Sequence, residues 1–293
     1  MEPLTNLSVI KDLLARHGFS FSKSLGQNFI VNPSVCPRIS QLGGAAPGVG
    51  VIEIGAGIGV LTAQLAQDGE KVVCTEIDSR LLPILDETLA PYSNVTIVNQ
   101  DVLKVDLHQL IRDQFPGMEV VVCANLPYYI TSPILMKLLE DRLPIRSITV
   151  MVQKEAARRI CARPGSREAG AISAAIRYYS EPQVLFHVSR GSFLPAPQVD
   201  STVIRLDILS QPAVAVREER LYFEGVRAAF SQRRKTVHNA LAAYFGRPKD
   251  WAAQVLAQAG IPPLARAQQL TVEQVAALAD ALAGGGPSQG GGL

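Results

Sequence analysis

The sequence predicts an α/β protein, a seven-stranded and mostly parallel sheet wrapped by helices, followed by a small all-α domain. Three observations predict it. From residue 49, short apolar, β-rich runs alternate with segments of helical length. Most of these runs are nearly continuous rather than alternating, as strands buried on both faces require. Past Ser210 that rhythm stops and helical periodicity takes over.

The strands are expected at Val49–Ile54, 72–76, Val95–Val98, 120–124, 147–152, 184–188 and 202–208, with helices between them at 60–67, 80–90, 132–140, 154–162 and 172–179. No helix separates the last two strands, so they are expected to pair antiparallel at one edge. Residues 211–216 read as a linker. Beyond it Phe223, Val226 and Phe230 share a helical face, as do Val237, Leu241 and Tyr244. Ser231, Asp250 and Thr271 are the expected N-caps, the last completed to a capping box by Gln274, with Gly260 and Gly284 as stop signals. The resulting divisions are an N-terminal arm with helices (1–48), the sheet domain (49–208), a helical domain (209–283) and a flexible tail (284–293).

Composition bounds the function. With 293 residues, 47% hydrophobic and 18% charged, the chain has ample material for a large core and is no disordered polymer. No apolar run reaches the ~18–20 residues of a membrane-spanning helix, and Glu2 and Asp12 interrupt anything resembling a targeting segment. The four cysteines and four histidines are scattered, which argues against a disulfide framework and a local metal site. A reduced, cytoplasmic, monomeric protein is expected.

Charge is divided unevenly. Residues 1–130 carry 8 Lys/Arg against 13 Asp/Glu, whereas 131–293 carry 20 against 13. Within 142–177 the ratio is 8 to 2, and Arg233, Arg234 and Lys235 form a second basic cluster. Each cluster alone reads equally well as a solvated helix face. Two of them behind an acidic half favour a polyanion surface, hence nucleic acid.

Four strand ends carry the chemistry. The first runs into Glu53-Ile54-Gly55-Ala56-Gly57-Ile58-Gly59, a turn whose glycines allow a ligand to approach the backbone. Position 60 is Val, where a dinucleotide fingerprint wants its third glycine, so a nucleoside without pyrophosphate is favoured. Glu76 lies 21 residues after Gly55, near the spacing of a ribose-binding acid, although in isolation it reads equally as a surface carboxylate. Asp101 follows the third strand and can accept from an exocyclic amine, which suits adenine. After the fourth strand comes Asn125-Leu126-Pro127-Tyr128. Proline stiffens this corner, Asn125 and the Leu126 carbonyl can accept both hydrogens of an NH2 group, and Tyr128 offers a stacking face. Alone, that tetrapeptide would pass for a turn with a core tyrosine. Together the four sites describe an adenosine pocket beside a second site for an amino-bearing base, the layout of a Rossmann-like class I S-adenosylmethionine-dependent methyltransferase.

From about Lys23 to Leu241 the chain resembles the KsgA/RsmA group of small-subunit rRNA adenine dimethyltransferases, relatives of the Erm enzymes. The likeness rests on Lys23-Ser-Leu-Gly-Gln-Asn-Phe29, Glu53 to Gly57, Glu76-Ile-Asp78, Asn125 to Tyr128, Met151-Val-Gln-Lys154, Phe193-Leu-Pro-Ala-Pro197 and Phe230-Ser-Gln-Arg-Arg-Lys235. The resemblance implies cofactor contacts from Gln27, Asn28, Ile30 and Gly57, with Gly55 near the methionine part, Glu76 at the ribose, Asp101 at the adenine and Asn125 at the reacting centre. It further implies transfer of two methyl groups to N6 of each of two adjacent adenines in the 3′-terminal hairpin loop of 16S rRNA, within an immature small subunit. Arg158, Arg159 and Arg163, on one expected helix, and Arg233, Arg234 and Lys235 would then hold RNA. The family usually has Leu in place of Ile30, and bacterial members often Asn in place of Tyr129. Three rivals remain: a large-subunit rRNA methyltransferase of the Erm type, an RNA-binding assembly factor without catalysis, and, weakened by Val60, a nicotinamide dehydrogenase.

Overall fold

Helix α1 (Leu7–Arg16) starts where the Asn6 side chain accepts from the Ser8 amide. An extended arm follows and contributes the two-residue strand β1 (Phe29–Ile30), then α2 (Val35–Gly43) ends on Gly44 in the left-handed region. The computed structural model describes residues 3–22, 25–232 and 234–284. Lys23, Arg233 and the expected tail beyond Gly284 lie outside the described residues.

The repeating part begins with β2 (Val49–Ile54), α3 (Val60–Asp68), β3 (Lys71–Thr75), α4 (Leu82–Thr88) and β4 (Val95–Val98). It continues through α5 (Leu107–Gln114), β5 (Glu119–Asn125), α6 (Thr131–Glu140), β6 (Ser147–Gln153) and α7 (Lys154–Ile160). Then come α8 (Ala171–Tyr179), β7 (Ser180–Val188), β8 (Phe193–Leu194) and β9 (Ser201–Ile208). Every residue of β2 is buried, and β5 is buried from Val120 to Ala124, which is why both read as unbroken apolar runs.

Seven strands form one sheet in the order β4-β3-β2-β5-β6-β9-β7, while β1 and β8 pair separately and antiparallel. From β4 to β6 all neighbours are parallel. The chain first moves outwards from β2 through β3 to β4, then returns to the other side of β2 as β5. That reversal opens a crevice at the carboxyl ends of β2 and β5. The last two strands are neighbours at one edge, as expected, and β9 also runs antiparallel to β6 on its other side, with Ser147 opposite Asp207 and Gln153 opposite Ser201.

The helix expected over 154–162 stops at Ile160, so Arg163 lies beyond it rather than beside Arg158 and Arg159 on one helix. Pro164 disfavours helical backbone at Arg163, and Arg177 satisfies the freed carbonyls, donating to Cys161 O and Ala162 O at 3.0 and 2.9 Å. The helix expected over 80–90 is shorter. Asp78 caps a 3-10 turn over Ser79–Leu81, and α4 follows with Pro83 in its first turn.

Contacts divide the chain into two compact units. One takes in residues up to 157 together with 182–208; the other takes in 158–181 and everything from 209. The division is therefore not the single cut after residue 208 that the sequence suggests. In the second unit, α8 joins α9 (Glu219–Phe230), α10 (Val237–Phe245), α11 (Lys249–Gln258) and α12 (Val272–Gly284). Its core holds the ring cluster Tyr178, Tyr179, Tyr222 and Phe223, with centroids 4.4 to 5.5 Å apart. Thr271 and Gln274 make the expected capping box. Ser231 instead terminates α9, and Thr236 caps α10 by accepting from the Asn239 amide. Asp250 sits in the first turn of α11, whose cap position is Pro248.

Candidate active site

The crevice at the switch point is a cavity of about 1040 Å³, open solvent at its mouth included, which is room for a nucleoside and a second base. Its wall brings together all the sequence-derived cofactor and corner residues: Gln27, Asn28 and Ile30 from the arm, Gly55 and Gly57 from the first turn, Glu76 and Asp101 from the next two strand ends, and Asn125, Leu126, Pro127 and Tyr128.

The glycine turn is shaped by its backbone. Gly55, Gly57 and Gly59 all have positive φ, at 79°, 60° and 85°. The Phe29 ring lies 3.3 Å from where a Cβ on Gly57 would stand, so arm and turn pack without space for a side chain. At Gly55 a Cβ would meet nothing within 4 Å, although the residue lines the cavity. Room is therefore left there for a ligand.

Glu53, Glu76 and Asp101 line this wall, and Asp78 lies just behind Glu76 in the chain. Glu53 is 1% exposed, and its Oε2 has no partner among the described residues. Burial, reinforced by the charge of Glu76, pushes its carboxyl up to about 8. Burial also raises Glu76, but two backbone amides favour its ionised form: Gly57 N donates to Oε2 and Asp78 N to Oε1, each at 2.9 Å. Two carboxylate oxygens offer about four acceptor sites, so capacity remains for a diol. Asp78 is held below the usual carboxylate range, chiefly by the Arg80 guanidinium at 2.7 Å and next by Gln27, whose Nε2 donates to it at 2.8 Å. Asp101 accepts from the Leu103 amide at 3.0 Å and so starts a 3-10 turn at the cavity edge.

The corner after β5 is fixed from several directions. Asn125 stands opposite Met151 in the parallel register, and the Leu126 amide donates to the Met151 carbonyl at 3.2 Å. The Asn125 side chain donates Nδ2 to the Asn28 carbonyl at 3.1 Å. Its Oδ1 is thus the atom left to accept. The Pro127 carbonyl takes the Ile130 amide and the Thr131 hydroxyl, turning the chain into α6. The Tyr128 phenol shares a 2.7 Å hydrogen bond with Ser201 Oγ at the start of β9, where Ser201 is wholly buried.

Sequence reasoning missed Ser201, the Gln27–Asp78 link and the Asn28 carbonyl. No local spacing signals a partner 73 residues away. Glu53 was visible only as a motif member; its burial depends on the sheet around it. The basic residues belong to the second unit. Arg158 and Arg159 are exposed at the end of α7, Arg163 is exposed beyond it, and Arg234 and Lys235 are exposed between α9 and α10, with Arg233 outside the described residues. Among the described residues no cluster of His, Cys, Asp and Glu could hold a metal ion, and no helix is long and apolar enough to cross a membrane.

A family model described as "Ribosomal RNA adenine dimethylase" matches residues 18–283. The chain is 49% identical over 286 residues to "Ribosomal RNA small subunit methyltransferase A" of Bacillus cytotoxicus, covering 96% of this chain and 98% of the relative, and it matches the protein of that name from Bacillus mycoides equally. The crystal structure of the 23S rRNA methyltransferase ErmE superposes with a TM-score of 0.66 at 26% identity, over 87% of this chain and all of that one. A dimethyladenosine transferase from Plasmodium falciparum shares the fold at a TM-score of 0.71 and 24% identity, over 85% of this chain and 95% of that one.

Proposed function

The chain belongs to the ribosomal RNA adenine dimethylase family, and from that premise we propose how its cavity serves the reaction. The protein is an S-adenosylmethionine-dependent enzyme that dimethylates adenine of small-subunit rRNA. Its proposed targets are two adjacent adenines in the 3′-terminal hairpin loop of 16S rRNA, each methylated twice at N6. It would act on the immature subunit, as a monomer in the cytoplasm, and serve subunit biogenesis. Identity of 49% to small-subunit enzymes, against 26% to ErmE, favours the small subunit over the large.

The single observation that carries this reading is that four strand ends and the arm line one cavity at the switch point. The residues fit the cofactor: Gly55 leaves open space beside its backbone, and Glu53 Oε2 is a buried oxygen awaiting a partner at the same wall. When bound, the cofactor supplies a methyl group already activated by a positively charged sulfur. The chain's own residues do the rest. Glu76 would accept from the ribose hydroxyls and Asp101 from the adenine amine, while Gln27, Asn28 and Ile30 would close the arm over them. The target base leaves its stack, favouring a loop adenine, and lies against Tyr128. Asn125 Oδ1 and the Leu126 carbonyl would accept its two N6 hydrogens, which turns the nitrogen lone pair out of ring conjugation and towards the methyl. As the new N–C bond formed, the sulfur–methyl bond would break and leave a neutral thioether; N6 would then be acidic and lose its proton to water, so no strong base is required. Alignment is the main contribution, worth up to ~7–11 kcal/mol.

Replacing Asn125 tests the assignment. Asn125→Ala is expected to lower methyl transfer on the order of 100-fold or more, as loss of a transition-state hydrogen bond does elsewhere. Cofactor affinity, read by calorimetry, should change by no more than a few fold. A variant with full activity would refute the role of Asn125.

A further inference from the structure

The proposed substrate offers two neighbouring adenines, yet the corner described above accounts for only one base. The 3-10 turn Tyr128–Ile130 carries two tyrosines in succession, and both line the cavity. Their surroundings are opposite. Tyr128 is partly buried and its phenol is tied to Ser201. Tyr129 is 60% exposed. A lone exposed ring needs no explanation, but this one is backed by the arm. A Cβ on Gly26 would lie 3.5 Å from both Cδ1 and Cε1 of the Tyr129 ring, so a side chain there would come into contact with the ring that the glycine leaves clear. Gly26 has φ +60°, a conformation that favours glycine. The ring is thus largely exposed at the mouth of the cavity, beside the arm and one residue from the site of the reacting base.

We propose that Tyr129 is the stacking platform for the nucleotide next to the adenine in the pocket, a subsite for a second unpaired base. This rests on the rRNA adenine reading above. Stacking tolerates any base because each has a π-face.

The test uses the full-length protein and small-subunit particles reassembled around a synthetic 3′-terminal rRNA hairpin. The hairpin is either intact or lacks the base of one of the two adenosines, and radiolabelled methyl transfer to the other adenine is followed. Wild type is expected to lose about tenfold in kcat/KM when the neighbouring base is removed, the scale of one base–aromatic stack. Tyr129→Ala should lose about the same on the intact hairpin and nothing further on the abasic one. Tyr129→Leu, which fills similar space without a π-face, should behave as Tyr129→Ala, while Tyr129→Phe should match wild type. Cofactor affinity should be unchanged in all three variants. Two losses that multiply to about a hundredfold, full activity of Tyr129→Ala, or a Tyr129→Phe as weak as alanine would each overturn the platform. No transfer by wild type to the intact hairpin would instead sink the activity on which the platform rests.

Discussion

Glu53 in β2 and Asp78 just beyond β3 belong to neighbouring strand ends, yet their environments drive them apart. Asp78 meets a guanidinium and a side-chain amide, which hold its carboxyl below the usual carboxylate range. Glu53 is sealed beneath the glycine turn with an unpaired oxygen and keeps its proton to about pH 8. The consequence for stability follows from proton counting. An unfolded chain releases the Glu53 proton near 4.5, whereas the folded chain holds it to about 8, so the folded state binds more protons in between. The stability associated with that proton is complete below pH 4.5 and drains away as pH rises through 8. Glu53→Gln keeps the shape and removes the charge. Melting of the cofactor-free protein between pH 5 and 9 should show a flatter profile for the variant, more stable than wild type at the alkaline end by up to a few kcal/mol. Parallel profiles would mean that Glu53 ionises normally in the folded chain.

Strand ends, not strands, set the geometry of the site, and the two were unequally legible. The runs 49–54 and 120–124 are nearly continuous apolar stretches because those strands are buried along that length, so local composition reports them directly, whereas 95–98 at the sheet edge is only half-buried. The position of β9 is another matter. With no helix between β7 and β9, the sequence suggests that the two are neighbours at one edge, and they are, but it gives no sign that β9 also pairs with β6 and so joins the edge strand to the parallel half. That pairing is decided by which apolar edges remain free once the parallel half has assembled, and no local pattern encodes it. The same pairing sets Ser201 opposite Gln153, two residues beyond Met151, which stands opposite Asn125. One strand thereby holds the phenol of a corner belonging to another. Ser201→Ala should therefore reduce kcat by a few fold, the order of one net hydrogen bond of ~1 kcal/mol, without altering cofactor affinity. Tyr128→Phe should do the same, and the double variant should be no worse than either single one. Losses that add would mean that the two hydroxyls act independently of each other.

Charge is the property that only the whole chain displays. The unit holding the cavity carries 14 Lys/Arg against 18 Asp/Glu, while the unit formed by 158–181 and 209 onwards carries 14 against 8. Two basic clusters some seventy residues apart in sequence, around Arg158 and around Arg234, thus belong to one unit. The imbalance was legible from counting; that residues 158–181 fold with the C-terminal helices was not, because their strand–helix rhythm continues that of the preceding sheet. Separating a basic unit from the unit that houses the chemistry separates two readouts. Phosphate contacts appear in the salt dependence of RNA binding, about 0.7 in log–log slope for each contact with a single strand, whereas cofactor affinity reports the cavity. Replacing Arg233, Arg234 and Lys235 together by Ala should lower the slope by roughly two and weaken RNA binding most at low salt. S-adenosylmethionine affinity should stay at the wild-type value, since neither Arg234 nor Lys235 is among the described residues that line the cavity. An unchanged slope would remove this cluster from the RNA surface and leave Arg158, Arg159 and Arg163 as the remaining basic set in the second unit to be tested in the same titration.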